Sequence, residues 1–149
     1  MYMPTYESTD TLAAEREVCA IIESGGFECE KLARKQVLDF AIRKEGDKKI
    51  LWFMEVKSRT CKSDTYETYM IGMKKFMHML QTIYLLRTRT ALVVRFTDRI
   101  MKLWISSDVP HHLEMGGRPD RGDPDDFEPV VHLSMDLFEE LDLEQGVAS

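Results

Sequence analysis

Gln36-Val-Leu-Asp39-Phe-Ala-Ile42 and Ile50-Leu-Trp-Phe-Met-Glu55-Val-Lys57 are two apolar runs separated by the charged turn Lys44-Glu-Gly-Asp-Lys48. Each is rich in branched and aromatic side chains, and the turn carries a glycine, so the pair reads as an antiparallel hairpin. The expected strands are Gln36 to Lys44 and Lys49 to Ser58. Alternation along a strand puts Val37, Asp39 and Ala41 on one face of the first. It puts Leu51, Phe53, Glu55 and Lys57 on one face of the second. One end of one hairpin face would then hold two acids and a lysine. A carboxylate inside Leu-Asp-Phe, or inside Phe-Met-Glu-Val, costs several kcal/mol to bury unless a charge compensates it. A divalent cation is one compensator. Salt bridges to Lys57 and Arg43 in an unrelated small α/β protein are the other.

Outward from the hairpin, Thr9-Asp10-Thr11 supplies helix-capping residues. Leu12, Ala13, Val18, Ile21 and Ile22 follow at roughly helical spacing. The spacing predicts a helix over residues 10–24, stopped by Gly25-Gly26. Phe27 to Leu32 reads as a short strand and Ser58 to Thr68 as a polar loop. A second helix is expected from about Ile71 to Arg87, with Met73, Phe76, Met77, Leu80, Ile83 and Tyr84 as its apolar stripe. Ala91 to Phe96 and Ile100 to Ile105 read as strands around the Thr97-Asp98-Arg99 turn. His111 to Pro129 holds three glycines and three prolines without periodicity and reads as a long surface loop. Val130 to Leu133 adds an edge strand, and Ser134-Met-Asp-Leu-Phe-Glu-Glu-Leu141 reads as a short capped helix. The expectation is one domain over residues 1–149, with a core at about 10–107 and an acidic loop-and-helix segment over 108–149.

Composition bounds the function. The chain has 149 residues, 44% apolar and 31% charged, which suits a folded domain rather than a disordered segment. No apolar run approaches a membrane span and no signal-peptide pattern opens the chain, so no membrane partner is expected and the cytoplasm is the default compartment. Cys19, Cys29 and Cys61 match no zinc spacing or disulfide framework and read as free thiols. The net charge of −6 is unevenly spread. Residues 1–30 carry −6, 31–62 carry +6, 63–107 carry +4 and 108–149 carry −10. The acids of the hairpin thus lie in a basic block between acidic ends, a pattern that suits a polyanionic partner. Solubilising lysines at a turn (Lys44, Lys48, Lys49) are the plainer account of part of it.

The order helix, strand, strand-turn-strand, helix, strand, with Asp39 followed by Glu55-Val-Lys57 on the central hairpin, resembles the PD-(D/E)XK nuclease superfamily. Restriction endonucleases, Holliday-junction resolvases and phage exonucleases belong to it. The resemblance covers about residues 10–107 and is nearest to the resolvase-like members. In these a helix carries a glutamate, ends at a glycine followed by an aromatic, and leads into the hairpin. Glu15 stands eleven residues before Gly26-Phe27 and fits that acid, with Glu17 as second choice. Leu38 replaces the motif's proline. The resemblance implies an α/β fold with a mixed sheet of about four or five strands flanked by helices in the order αβββαβ. It also implies a metal-dependent nuclease acting on nucleic acid, most often DNA, and allows a homodimer. A catalytically silent nucleic-acid-binding or assembly module of the same fold is the alternative.

The chemistry suits the residue types. A magnesium ion (or Mn2+) held by Asp39, Glu55 and the Val56 carbonyl would lower the pKa of its water and polarise a phosphate oxygen. Lys57 would position or deprotonate the attacking water or neutralise the phosphate. Glu15 would hold a second metal or a metal-bound water. Lys35, Arg43, Arg59, Lys62 and Lys74 would contribute affinity for the phosphate backbone. Lys74 and Lys75 lie opposite the apolar stripe of the second helix, where phosphate contact and plain solvation are the two readings and solvation is the simpler. Tyr66 and Tyr69 suit packing or base stacking. His111-His112 is expected to be no metal pair, because neighbours in an extended chain point apart. His78 and His132 have no evident partner.

Overall fold

The computed structural model describes residues 9–33, 38–117 and 127–141. Helix α1 runs Thr9–Ser24. It ends where Gly25 and Gly26 amides bond back to the Ile22 and Glu23 carbonyls. Gly26 has φ +90°, a left-handed conformation that a β-carbon would strain. Strand β1 (Phe27–Lys31) follows at once, then β2 (Phe40–Lys44) and β3 (Ile50–Ser58). β1 and β2 are antiparallel, as are β2 and β3.

Strand β4 (Thr68–Gly72) precedes helix α2 (Met73–Leu86). The sequence reading places a loop up to Thr68 and starts the helix near Ile71, so this strand is a correction. Tyr69 and Ile71 point into the core and Met70 points out, the period-two pattern of a half-buried strand. From α2 the chain returns in β5 (Arg89–Arg95), parallel to β3, and turns into β6 (Ile100–Trp104). With a two-residue strand β9 (Glu139–Glu140) and without β4, these strands form a six-stranded mixed sheet in the order β1-β2-β3-β5-β6-β9, where four or five strands are expected.

Residues 108–141 depart furthest from expectation. His111–Gly117 is strand β7, not loop, and pairs with β8 (Phe127–Ser134). β8 pairs on its other side with β4, giving a second sheet β4-β8-β7. Residues 118–126 of the expected loop lie outside the described residues, and its last three, 127–129, belong to β8. The expected C-terminal helix is a single 3-10 turn, Met135–Leu137, capped by the Ser134 hydroxyl. Strand β9 (Glu139–Glu140) then joins the edge of β6, and the Leu141 amide bonds to the Ile100 carbonyl. The cap residue is a true signal, but Phe138 and Leu141 are buried. An extended chain across the sheet edge buries both and satisfies open backbone groups of β6. The acidic segment is therefore built into both sheets over its described part.

Two cores result. Ala14, Val18 and Ile22 of α1 pack on Ile42, Trp52, Met54 and Val56. On the other side of the main sheet, Phe76 and Met79 of α2 pack on Leu92, Val94, Tyr69 and Val131, with Phe53 at the margin. Even-numbered β3 residues face α1, so Phe53, Glu55 and Lys57 face α2. No helix among the described residues is long and apolar enough to cross a membrane. Cys19, Cys29 and Cys61 are free thiols.

Candidate active site

Asp39 sits in the bend immediately before β2 rather than inside a strand. Its amide nonetheless bonds to the Met54 carbonyl at 3.0 Å, and its carbonyl accepts from Leu32 at 2.8 Å. The backbone is thus fixed by a strand on each side. The carboxylate Oδ2 accepts from the Val56 amide at 2.9 Å, locking the side chain over β3. Glu55 is adjacent on β3, 2% exposed. Its Oε1 contacts Lys57 Nζ and Lys75 Nζ, each at 3.3 Å. Its Oε2 is buried without a hydrogen-bond partner.

Glu15, 4% exposed on α1, is paired with Lys31. Lys31 Nζ also lies 4.0 Å from Asp39 Oδ1. One lysine at the end of β1 therefore joins the helix acid to the hairpin acid. Glu17 turns away and pairs with Arg95 at 2.8 Å. Lys31 and Lys75 carry no motif and escaped the sequence reading of the site. Lys75 is a correction: it contacts Glu55 instead of standing in solvent. Only the register Lys31↔Phe40 and the approach of α2 bring the two lysines in.

Burial, and then the neighbouring Asp39 charge, push the Glu55 carboxyl above the ordinary carboxylate range, against the pull of Lys57 and Lys75. The folded chain thus holds this proton more tightly than the unfolded chain. Stability contributed by the neutral acid is present at low pH and is lost as pH rises from the ordinary glutamate range through the raised folded value. Without metal, Glu55→Gln is expected to stabilise the chain at mildly alkaline pH, because it removes the charge that burial and the neighbouring Asp39 disfavour. The gain should vanish in acid. Urea unfolding of both chains across pH, with chelator present, measures it, and a gain independent of pH would refute the assignment.

Beside Glu55 opens a cleft of about 380 Å³ lined by Lys57, Arg59, Lys74, Lys75, His78 and Glu128, among others. Gly72 caps α2 without a side-chain hydrogen bond and lines this cleft, so the positive end of the helix faces it. Arg59 lies 4.8 Å from the Tyr69 ring centre, and burial raises the Tyr69 hydroxyl to about 12. Tyr69 is thus packed. Tyr66 is exposed and lines a neighbouring cavity of about 240 Å³ with Arg59, Lys62 and His132. Arg43 does not join them. It is held by Glu28 at 3.1 Å and Glu30 at 3.6 Å. It also stands four residues up β2 from Asp39, about 13 Å at the usual rise of a strand. Lys35 lies outside the described residues.

A mixed sheet whose central hairpin presents Asp39 and Glu55-Val-Lys57, with α1 adding Glu15, is the PD-(D/E)XK nuclease fold. It matches a Holliday junction resolvase from the archaeal hyperthermophile Archaeoglobus fulgidus with a TM-score of 0.62. Identity is 12%, and the match covers 95% of this chain and 98% of the resolvase. The chain belongs to a phage endonuclease family, whose model, described as "Phage putative PDDEXK endonuclease", matches residues 1–141. No curated protein matches it.

Proposed function

We propose that this chain is a divalent-metal-dependent endonuclease acting on DNA. The observation that carries the reading is the Glu55 carboxylate, buried beside Asp39 with one oxygen unpartnered, in a chain of an endonuclease family. An all-oxygen donor set of Asp39, Glu55 and the Val56 carbonyl suits Mg2+ or Mn2+. Bound there, the ion would acidify water and neutralise charge on the phosphate. The remaining work belongs to the chain. Lys57, fixed beside Glu55, orients the attacking water or neutralises the charge that develops on the phosphate. Lys31 holds Glu15 and stands near Asp39, fixing both acids from the β1 side. The α2 N-terminus, Lys74 and Arg59 draw the backbone into the cleft.

Branched DNA is the first substrate to test, given the resolvase neighbour, beside duplex, single-stranded and flap substrates. Incubating each labelled substrate with Mg2+, Mn2+ or chelator tests the proposal. Metal-dependent cuts support it; binding without cleavage under every condition would favour the silent module instead.

Glu128 of β8 sets its carboxylate against Gly72, at the mouth of the cleft. It competes with phosphate for the same positive end of α2. Glu128→Gln is expected to tighten DNA binding roughly two- to fivefold, the scale of one charge at a helix terminus. Fluorescence anisotropy at low salt reads it, and unchanged or weaker binding contradicts the competition.

A further inference from the structure

His112, Glu114 and His132 meet on the outer face of the second sheet, away from the residues assigned to catalysis. Strand alternation puts His112 and Glu114 on one side of β7. The antiparallel register sets His132 of β8 directly opposite His112. The two rings lie parallel within 3°, their centres 4.6 Å apart. Glu114 Oε2 is 3.0 Å from His132 Nε2, and Oε1 is 3.7 Å from His112 Nε2. One ligand atom from each residue falls within 4.8 Å of the other two. His111, the neighbour of His112, lies on the other side of β7, exposed and against the Phe76 ring. The partner is 20 residues away, across the ladder.

We propose that these three side chains form a transition-metal site of the Zn2+ class, separate from the catalytic acids. Two details favour this over a plain surface ion pair. First, His132 Nε2 is buried yet makes no hydrogen bond, although the Glu114 carboxylate is only 3.0 Å away. The carboxylate thus stands beside the ring nitrogen without a hydrogen bond to it. Second, His132 Nδ1 is bonded to Thr68 Oγ1 of β4 at 2.8 Å. An outer hydrogen bond on the second ring nitrogen is the usual way a metal-binding imidazole is oriented. Two imidazoles and one carboxylate supply three ligands and leave a fourth position for water. Bonds of about 2.0 to 2.1 Å need the ligand atoms drawn closer and the His112 ring turned out of its parallel stack on His132. His112 and Glu114 are exposed, so side-chain rotation supplies the movement.

The donor types separate the two sites. Imidazole favours zinc, cobalt, nickel and copper, whereas a site of oxygen donors suits magnesium and manganese. The ion would clamp β7 to β8, the strand that carries Glu128 into the cleft. The site does not depend on the proposed nuclease chemistry.

The test is a Co2+ titration of the full chain carrying Asp39→Asn, in excess Mg2+, followed by visible absorption. The expected result is one equivalent of Co2+ with intense visible bands of four-coordinate geometry, displaced by Zn2+, and a rise in Tm with Zn2+. His112→Ala and Glu114→Gln, both at exposed positions, should each remove the bands and the Tm rise while circular dichroism is unchanged. Thr68→Val should weaken Co2+ binding about tenfold. Absence of the bands would overturn the site, as would titrations unaffected by His112→Ala and Glu114→Gln. A thiolate-to-cobalt band would do so too, by assigning the ion to cysteine.

Discussion

Asp39→Asn and Glu55→Gln are each expected to lower metal-dependent cleavage by about a thousandfold or more, the scale of losing a preorganised electrostatic element of a transition state. Asn is the informative change at position 39, because the carboxylate accepts from the Val56 amide. Alanine would leave that buried amide unsatisfied, at about 1 to 3 kcal/mol, and confuse a folding defect with a catalytic one. Asn keeps an acceptor and removes the charge. Single-turnover cleavage at saturating enzyme separates chemistry from binding. Wild-type rates in either variant would show that the cutting group lies elsewhere in the chain. Retained DNA affinity at a lost rate is the expected signature. Lys57→Met should behave likewise, since Lys57 Nζ lies 3.3 Å from Glu55 Oε1.

The second large effect concerns affinity. Arg59, Lys62 and Lys74 line the cleft or its neighbouring cavity. Replacing all three by glutamine is expected to weaken DNA binding about tenfold or more at low salt. Each lost phosphate contact should flatten the plot of log affinity against log salt by about 0.9. The rate once bound should change little. Arg43→Gln is the internal contrast: its guanidinium is engaged by Glu28 and Glu30, so DNA binding should be unaffected. Anisotropy titrations at several salt concentrations check both. A triple variant with the parent's affinity and slope would move the nucleic-acid face elsewhere.

Local information fixed the centre of the molecule. Period-two patterning and the glycine turn determined the β2–β3 hairpin. They also put Glu55 and Lys57 on one face, because alternation depends only on the chain itself. The capping residues and Gly25-Gly26 bounded α1 within a residue of the observed Thr9–Ser24. The charge blocks located the basic middle of the chain. Pattern also lay unread in His111–Gly117, where His111, Leu113 and Met115 alternate with His112, Glu114 and Gly116. The glycines and prolines around it hid the alternation.

Long-range pairing decided the rest. Whether Thr68–Gly72 and Glu139–Glu140 become strands depends on β8 and β6 being there to accept their hydrogen bonds, and no local propensity encodes that. The same holds for charge. Lys31 reaches Glu15 and Asp39 only through the β1–β2 register, and Lys75 reaches Glu55 only because α2 packs across β4 and β5. Arg43 lies in the basic block of the sequence yet is neutralised by two acids of β1. His132 meets His112 only across a ladder. The sequence by itself determined which side chains share a strand face, because that is set by backbone geometry. The tertiary structure alone decided which charges meet, because Coulomb and hydrogen-bond partners are chosen by distance in space and not along the chain.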